Sequence, residues 1–147
     1  MGHAHSPHRA SVTCYHLQIR FPYPSKSMKH WYEIDNAEEI ASPTILIYRD
    51  RVQANLQRMI DWAGIDCLRP HVKTHKLPQL VQMKLDAGIN KFKCATIAEA
   101  EMTAQAGAAD ILLAYQPVGP NARRLVELIA AYPQTGFSTI VDDISVA

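Results

Sequence analysis

The chain has 147 residues, 48% of them apolar and 20% charged, with a formal net charge of +1. That apolar share belongs to a folded domain and excludes wholesale disorder, while a charge near zero excludes a nucleic-acid partner held by bulk electrostatics. Arg49, Asp50 and Arg51 interrupt the best apolar stretch well short of the ~18 residues that a membrane span needs, and three cysteines (Cys14, Cys67, Cys94) without a CxxC pair form no disulfide framework, which points to a cytoplasmic setting.

The first thirty residues stand apart. They hold Arg9, Arg20, Lys26, Lys29 and five of the seven histidines but no acid, so 31–147 carries eleven basic residues against all fourteen acids. Met28-Lys29-His30-Trp31-Tyr32 reads like a natural start. Residues 1–30 are therefore expected to be an extension or disordered tail, followed by one domain over 31–147. His3, His5 and His8 form a tract of weak metal-binding character, and a solvated tail is the simpler reading.

Thr44-Ile45-Leu46-Ile47-Tyr48 has the length and composition of a strand. Asp50 follows as an N-cap, with Gln53 in the capping-box position, and Val52, Leu56, Met59, Ile60 and Ala63 recur at helical spacing until Gly64. Cys67–Lys73 reads as a second strand. Pro78 suits the first turn of a second helix that closes at Gly88. Lys91–Ala95 is a third strand, Thr96-Ile97-Ala98-Glu99 a full capping box, and the helix it opens stops at Gly107. Asp110–Tyr115 is a fourth strand, Pro120 opens a fourth helix, and Phe137–Val141 is a fifth strand. The helix ends repeat one phrase: Ala63-Gly64, Ala87-Gly88 and Ala106-Gly107, each with a strand soon after. Short strands alternating with helices imply parallel pairing through right-handed crossovers.

A doubly wound sheet and the first half of an eight-stranded barrel both fit that pattern. An open nucleotide-binding sheet calls for a glycine-rich loop after its first strand, and Tyr48-Arg49-Asp50-Arg51 has no glycine. Polar chemistry gathers instead at the carboxyl ends of the second, third and fourth strands, as in a barrel. The expected fold is thus α/β: the N-terminal part of a (β/α)8 TIM barrel, four βα units plus a fifth strand, incomplete.

Alternation along the second predicted strand places Arg69, His71 and Lys73 on one face and Leu68, Pro70 and Val72 on the other. His75, Lys76, Lys91 and Lys93 enlarge the same positive cluster, which suits a phosphate or carboxylate beside a lysine amine. His71 and His75 are four apart, a metal-clasping interval on a helix, but here they bracket a strand end, so no metal site is expected. Asp142 and Asp143 end the fifth strand and read equally as mouth residues or a solvated turn. Cys67 and Cys94 read as buried fillers, and Trp31 and Trp62 as packing residues.

Arg69-Pro70-His71-Val72-Lys73-Thr74-His75-Lys76 closely resembles the pyridoxal-phosphate lysine motif of the D-threonine aldolase and D-serine dehydratase family, which shares the alanine-racemase-type barrel of fold-type III enzymes. Lys91–Glu101 and Leu112–Pro120 resemble the next two blocks of that family, in order, within a resemblance running from about Trp31 to Asp143. The resemblance implies a pyridoxal-phosphate-dependent lyase for D-configured β-hydroxy amino acids. Lys73 would hold the cofactor and shuttle the α-proton, with His71, Arg69 and Gln116 beside it. It also implies a full-length homodimer acting on a small D-amino acid, without nucleic acid or membrane. The family's divalent metal would sit in a later domain whose ligands lie outside this sequence. A non-catalytic pyridoxal-phosphate-binding single barrel is the alternative. Since a full barrel takes ~250 residues, this chain is expected to hold only part of the site and to leave Ile45 and Ile47 uncovered.

Overall fold

A computed structural model describes residues 30–146; the expected N-terminal extension lies, up to residue 29, outside the described residues. Contacts group the chain into Met1–Ser42 and Pro43–Ala147. Within the described part of the first unit, Ala37–Glu39 makes a 3-10 turn, tied by the Asn36 amide donating to Glu39 at 3.2 Å.

The second unit opens with two helices and then alternates strand and helix. Its elements are α1 (Arg49–Ala63), α2 (Pro78–Asp86), β1 (Lys91–Cys94), α3 (Ile97–Gln105), β2 (Asp110–Leu113), α4 (Pro120–Ala131) and β3 (Gly136–Thr139). The three strands pair in parallel and in sequence order, Lys91 opposite Asp110 and Asp110 opposite Gly136. Each neighbouring pair is connected by one helix. Strand order advances without reversing, as in a barrel wall and unlike a doubly wound sheet at its switch point.

Period-2 alternation sorts the sheet faces. Phe92, Cys94, Ile111 and Leu113 are fully buried beneath the helices, where they meet Val72, Val81, Ala100 and Leu125. Burying a side chain the size of Phe92 or Leu113 contributes about 1.5–3 kcal/mol each, so this one layer supplies much of the driving force. The opposite face carries Lys91, Lys93, Asp110 and Leu112, all half-buried.

Local signals place the helix ends. Pro78 and Pro120 occupy the first turns of α2 and α4. The glycines after α2 and α3, Gly88 and Gly107, adopt φ of 92° and 95°, the left-handed conformation that closes a helix without a Cβ penalty.

Two predicted strands differ. Thr44–Tyr48 forms no strand among the described residues, and Ile45 and Ile47 stay 84% and 45% exposed. Cys67–Lys73 is reduced to a single parallel bridge, His71 opposite Lys93, closed by Val72 N–H on Lys93 C=O and Lys93 N–H on Pro70 C=O, both 3.0 Å. The reasons are local. Ile65–Cys67 coils into a 3-10 turn, and Pro70 has no N–H to give to a ladder. Four further expectations fail on burial or position. Tyr48, not Asp50, is the N-cap of α1, and Asp50 lies within its first turn. Cys67 is exposed, and Trp31 and Trp62 are 57% and 87% exposed, so none of the three is a core residue.

Candidate active site

The parallel strands all end on the same edge, and four connecting segments meet there: the turn after Val72, the β1–α3 corner, the segment after β2 and the segment after β3. His71 shares the inward sheet face with Lys93, because bridged residues in parallel strands point the same way. Lys73, two residues further, lies past the level of Lys93 at the carboxyl edge, and its side chain is exposed.

His71 is coupled to Lys73 directly. Its Nδ1 accepts the Lys73 backbone N–H at 3.2 Å, which requires the neutral ring with its proton on Nε2. Desolvation, then the charges of Lys73 and Lys93, push the His71 pKa below its ordinary value, and Glu99 pulls weakly the other way. The electrostatics and the hydrogen bond therefore favour the same protonation state.

The turn itself is tightly held. His75 N–H and Lys76 N–H both reach Val72 C=O, at 3.2 and 2.9 Å. The His75 ring accepts Leu77 N–H at 3.1 Å and lies 2.8 Å from Lys84 Nζ on α2, and burial lowers the pKa of both side chains. Lys76 has φ of 49°, the one positive value outside glycine among the described residues. Glu99, 5% exposed on α3, places Oε2 2.8 Å from Ala95 N–H and Oε1 3.6 Å from Lys76 Nζ.

Arg69 and Gln116 are occupied elsewhere. Arg69 forms a bidentate pair with Asp110, Nη1 to Oδ1 at 2.7 Å, and also donates to Phe92 C=O at 3.4 Å. Asp110 begins β2, so this clamp lies at the amino end of the strands, away from Lys73. The bond to Arg69 holds the Asp110 carboxyl below its ordinary pKa. Gln116 does lie at the carboxyl edge, but its Oε1 accepts the N–H groups of Asp142 and Asp143, both at 3.0 Å, and its Nε2 donates to Asp143 C=O at 2.9 Å. It staples the segment after β3 to the segment after β2. Asp142 and Asp143 thus form a pinned, exposed turn, with Asp143 further bonded to Ser145.

Chemically, the edge offers a primary amine on a rigid turn, a neutral imidazole behind it and a second ammonium, Lys93, on the same face. That set suits an aldehyde carrying an anionic group. Among the described residues no group of His, Cys, Asp and Glu is arranged to hold a metal, and no helix is long and apolar enough to cross a membrane. Sequence reasoning missed Asp110 as the partner of Arg69 and gave Glu99 only a capping role. Both contacts depend on which strands lie side by side.

Comparison with known proteins bears on this geometry. Over 98 residues the chain is 31% identical to a D-threonine aldolase of Arthrobacter sp, covering 65% of this chain and 26% of that one. Over 83 residues it is 37% identical to a D-threo-3-hydroxyaspartate dehydratase of Delftia sp. (strain HT23), covering 54% of this chain and 22% of that one. The crystal structure of D-threonine aldolase from Filomicrobium marinum superposes with a TM-score of 0.64 at 28% identity, over 74% of this chain and 30% of that chain. The chain thus spans about a quarter of the length of these curated relatives. Its parallel α/β architecture is that of the N-terminal part of a TIM-barrel-type domain, as the strand order indicated. The model of the alanine racemase N-terminal domain matches residues 47–144, from before α1 to beyond β3, and the chain belongs to that family.

Proposed function

We propose that this chain carries the lysine-bearing part of a pyridoxal-phosphate site in a lyase acting on D-configured β-hydroxy amino acids. The observation that carries the reading is Lys73: a primary amine on a backbone-locked turn at the carboxyl edge, with neutral His71 bonded to its N–H and Lys93 on the adjoining face. The residues present fit the cofactor. Its aldehyde needs an accessible amine, and its phosphate needs a positive surround. When bound, pyridoxal phosphate supplies an electron sink for negative charge at the substrate Cα.

Each side chain has a part in this reading. The Lys73 amine would hold the cofactor and carry the α-proton. His71 fixes the Lys73 backbone and, being neutral, adds no charge to a site already holding Lys73 and Lys93. Gln116 acts by keeping the segments after β2 and β3 together at the rim. Arg69 acts from below, locking the strand levels through Asp110. The relatives' names divide between an aldolase and a dehydratase, two outcomes that differ in which bond at the substrate is aligned with the electron sink.

The test is borohydride reduction of the protein with pyridoxal phosphate, followed by peptide mapping. The label is expected on Lys73 and is expected to disappear in Lys73→Ala. A label on Lys76, Lys91 or Lys93 in its place overturns the assignment. Release of glycine and an aldehyde from a D-β-hydroxy amino acid marks the aldolase, and release of ammonia and a keto acid the dehydratase.

A further inference from the structure

The contacts of Glu99 exceed what a helix cap requires. Thr96 Oγ1 accepts Glu99 N–H at 3.1 Å, the first half of a capping box. The returning half does not end on Thr96, because Oε2 reaches one residue further back, to Ala95 N–H. Oε1 points across to Lys76 Nζ, which closes the turn carrying Lys73. A carboxylate 5% exposed is costly to bury without such partners. Lys76 in turn holds a left-handed conformation that lysine rarely adopts, so its end of the turn needs an outside tether. Glu99 is thus joined to the corner after β1 and to the end of the Lys73 turn, two segments that flank the same edge. On the α2 side the turn is held by the His75 ring, which accepts the N–H of Leu77, the N-cap of α2, at 3.1 Å.

Resting on the assignment of Lys73 above, we propose that Glu99 is a positioning residue: through Lys76 it sets where the Lys73 amine stands relative to β1. It does not touch the cofactor in this role. Lys76 is the transmitting partner, and its side chain is 64% exposed, so it can be changed without opening the core.

The experiment compares Glu99→Gln and Lys76→Met with the unaltered chain, using two probes. Pyridoxal phosphate has an aldehyde that Lys73 can capture; pyridoxine phosphate has an alcohol in its place and measures the rest of the site. Both variants are expected to weaken pyridoxal phosphate about two- to fivefold, the range of a half-exposed ion pair, and to slow borohydride trapping at Lys73. Pyridoxine phosphate affinity should be unchanged in both variants. In a Lys73→Ala background, neither variant should have any further effect on pyridoxal phosphate. Unchanged pyridoxal phosphate affinity and trapping in Lys76→Met overturns the proposal, as does an equal loss for both probes, which marks a purely structural role. If the unaltered chain binds the two probes alike and Lys73 takes no label, the Lys73 assignment itself fails, and that outcome is distinct because it needs no variant.

Discussion

His71 shows how one hydrogen bond and two neighbouring charges choose a protonation state. Its folded pKa lies below the ordinary 6.5, with desolvation the largest cause. A histidine depressed in the folded state stabilises the fold above its unfolded pKa, and that contribution is lost as pH falls through the folded value. In an NMR titration the His71 ring should therefore have its midpoint below 6.5, and the Lys73 amide resonance should follow the same curve because that N–H rests on Nδ1. A midpoint above 6.5, or a Lys73 amide indifferent to it, contradicts this coupling. Arg69 and Asp110 give the same pH direction from a different cause, an ion pair instead of desolvation. The Asp110 carboxyl is held below 3.8, so the pair stabilises the fold fully above that value and loses its effect as pH falls through the folded pKa. Both side chains are about a third exposed, and after discounting for solvent screening Asp110→Asn should cost about 1 kcal/mol at pH 7. Chemical denaturation from pH 7 down to 3 should show the difference between variant and parent shrinking only at the acid end.

Among the elements, α3 has the most explicit beginning and α2 the most exacting end. Thr96 caps α3 through its hydroxyl, so Thr96→Ala should cost about 1 kcal/mol and Thr96→Ser very little, as read by thermal melting. After α2, a Cβ on Gly88 would both adopt φ of 92° and stand 3.3 Å from Ile65 Cδ1. After α3, Gly107 has the same kind of φ but nothing within 4 Å. Gly88→Ala should therefore destabilise more than Gly107→Ala, each by at least about 1 kcal/mol. Equal costs would show that the Ile65 contact yields freely. These ends matter to the site because α2 braces His75 and α3 presents Glu99, both from fixed positions.

Across the whole molecule, stability is concentrated in the layer between sheet and helices. Phe92→Ala should cost about 3–5 kcal/mol, since the ring is fully buried, whereas Ile47→Ser should change stability by less than about 1 kcal/mol. Denaturant midpoints separate the two outcomes widely. The Ala-Gly stops, the prolines at helix starts, the Thr96 cap and the burial of Cys94 were legible in the sequence, because each depends on bonds or preferences a few residues long. The family resemblance of the octet around Lys73 was legible in the same way. Tertiary structure alone decided the rest. Whether Thr44–Tyr48 and Cys67–Lys73 form ladders depends on a neighbouring strand, which no local propensity supplies. Arg69 meets Asp110 across 41 residues, Gln116 meets Asp143 across 27 and Glu99 meets Lys76 across the turn, so the assignment of these polar groups to clamp, staple and tether follows from which strands lie side by side.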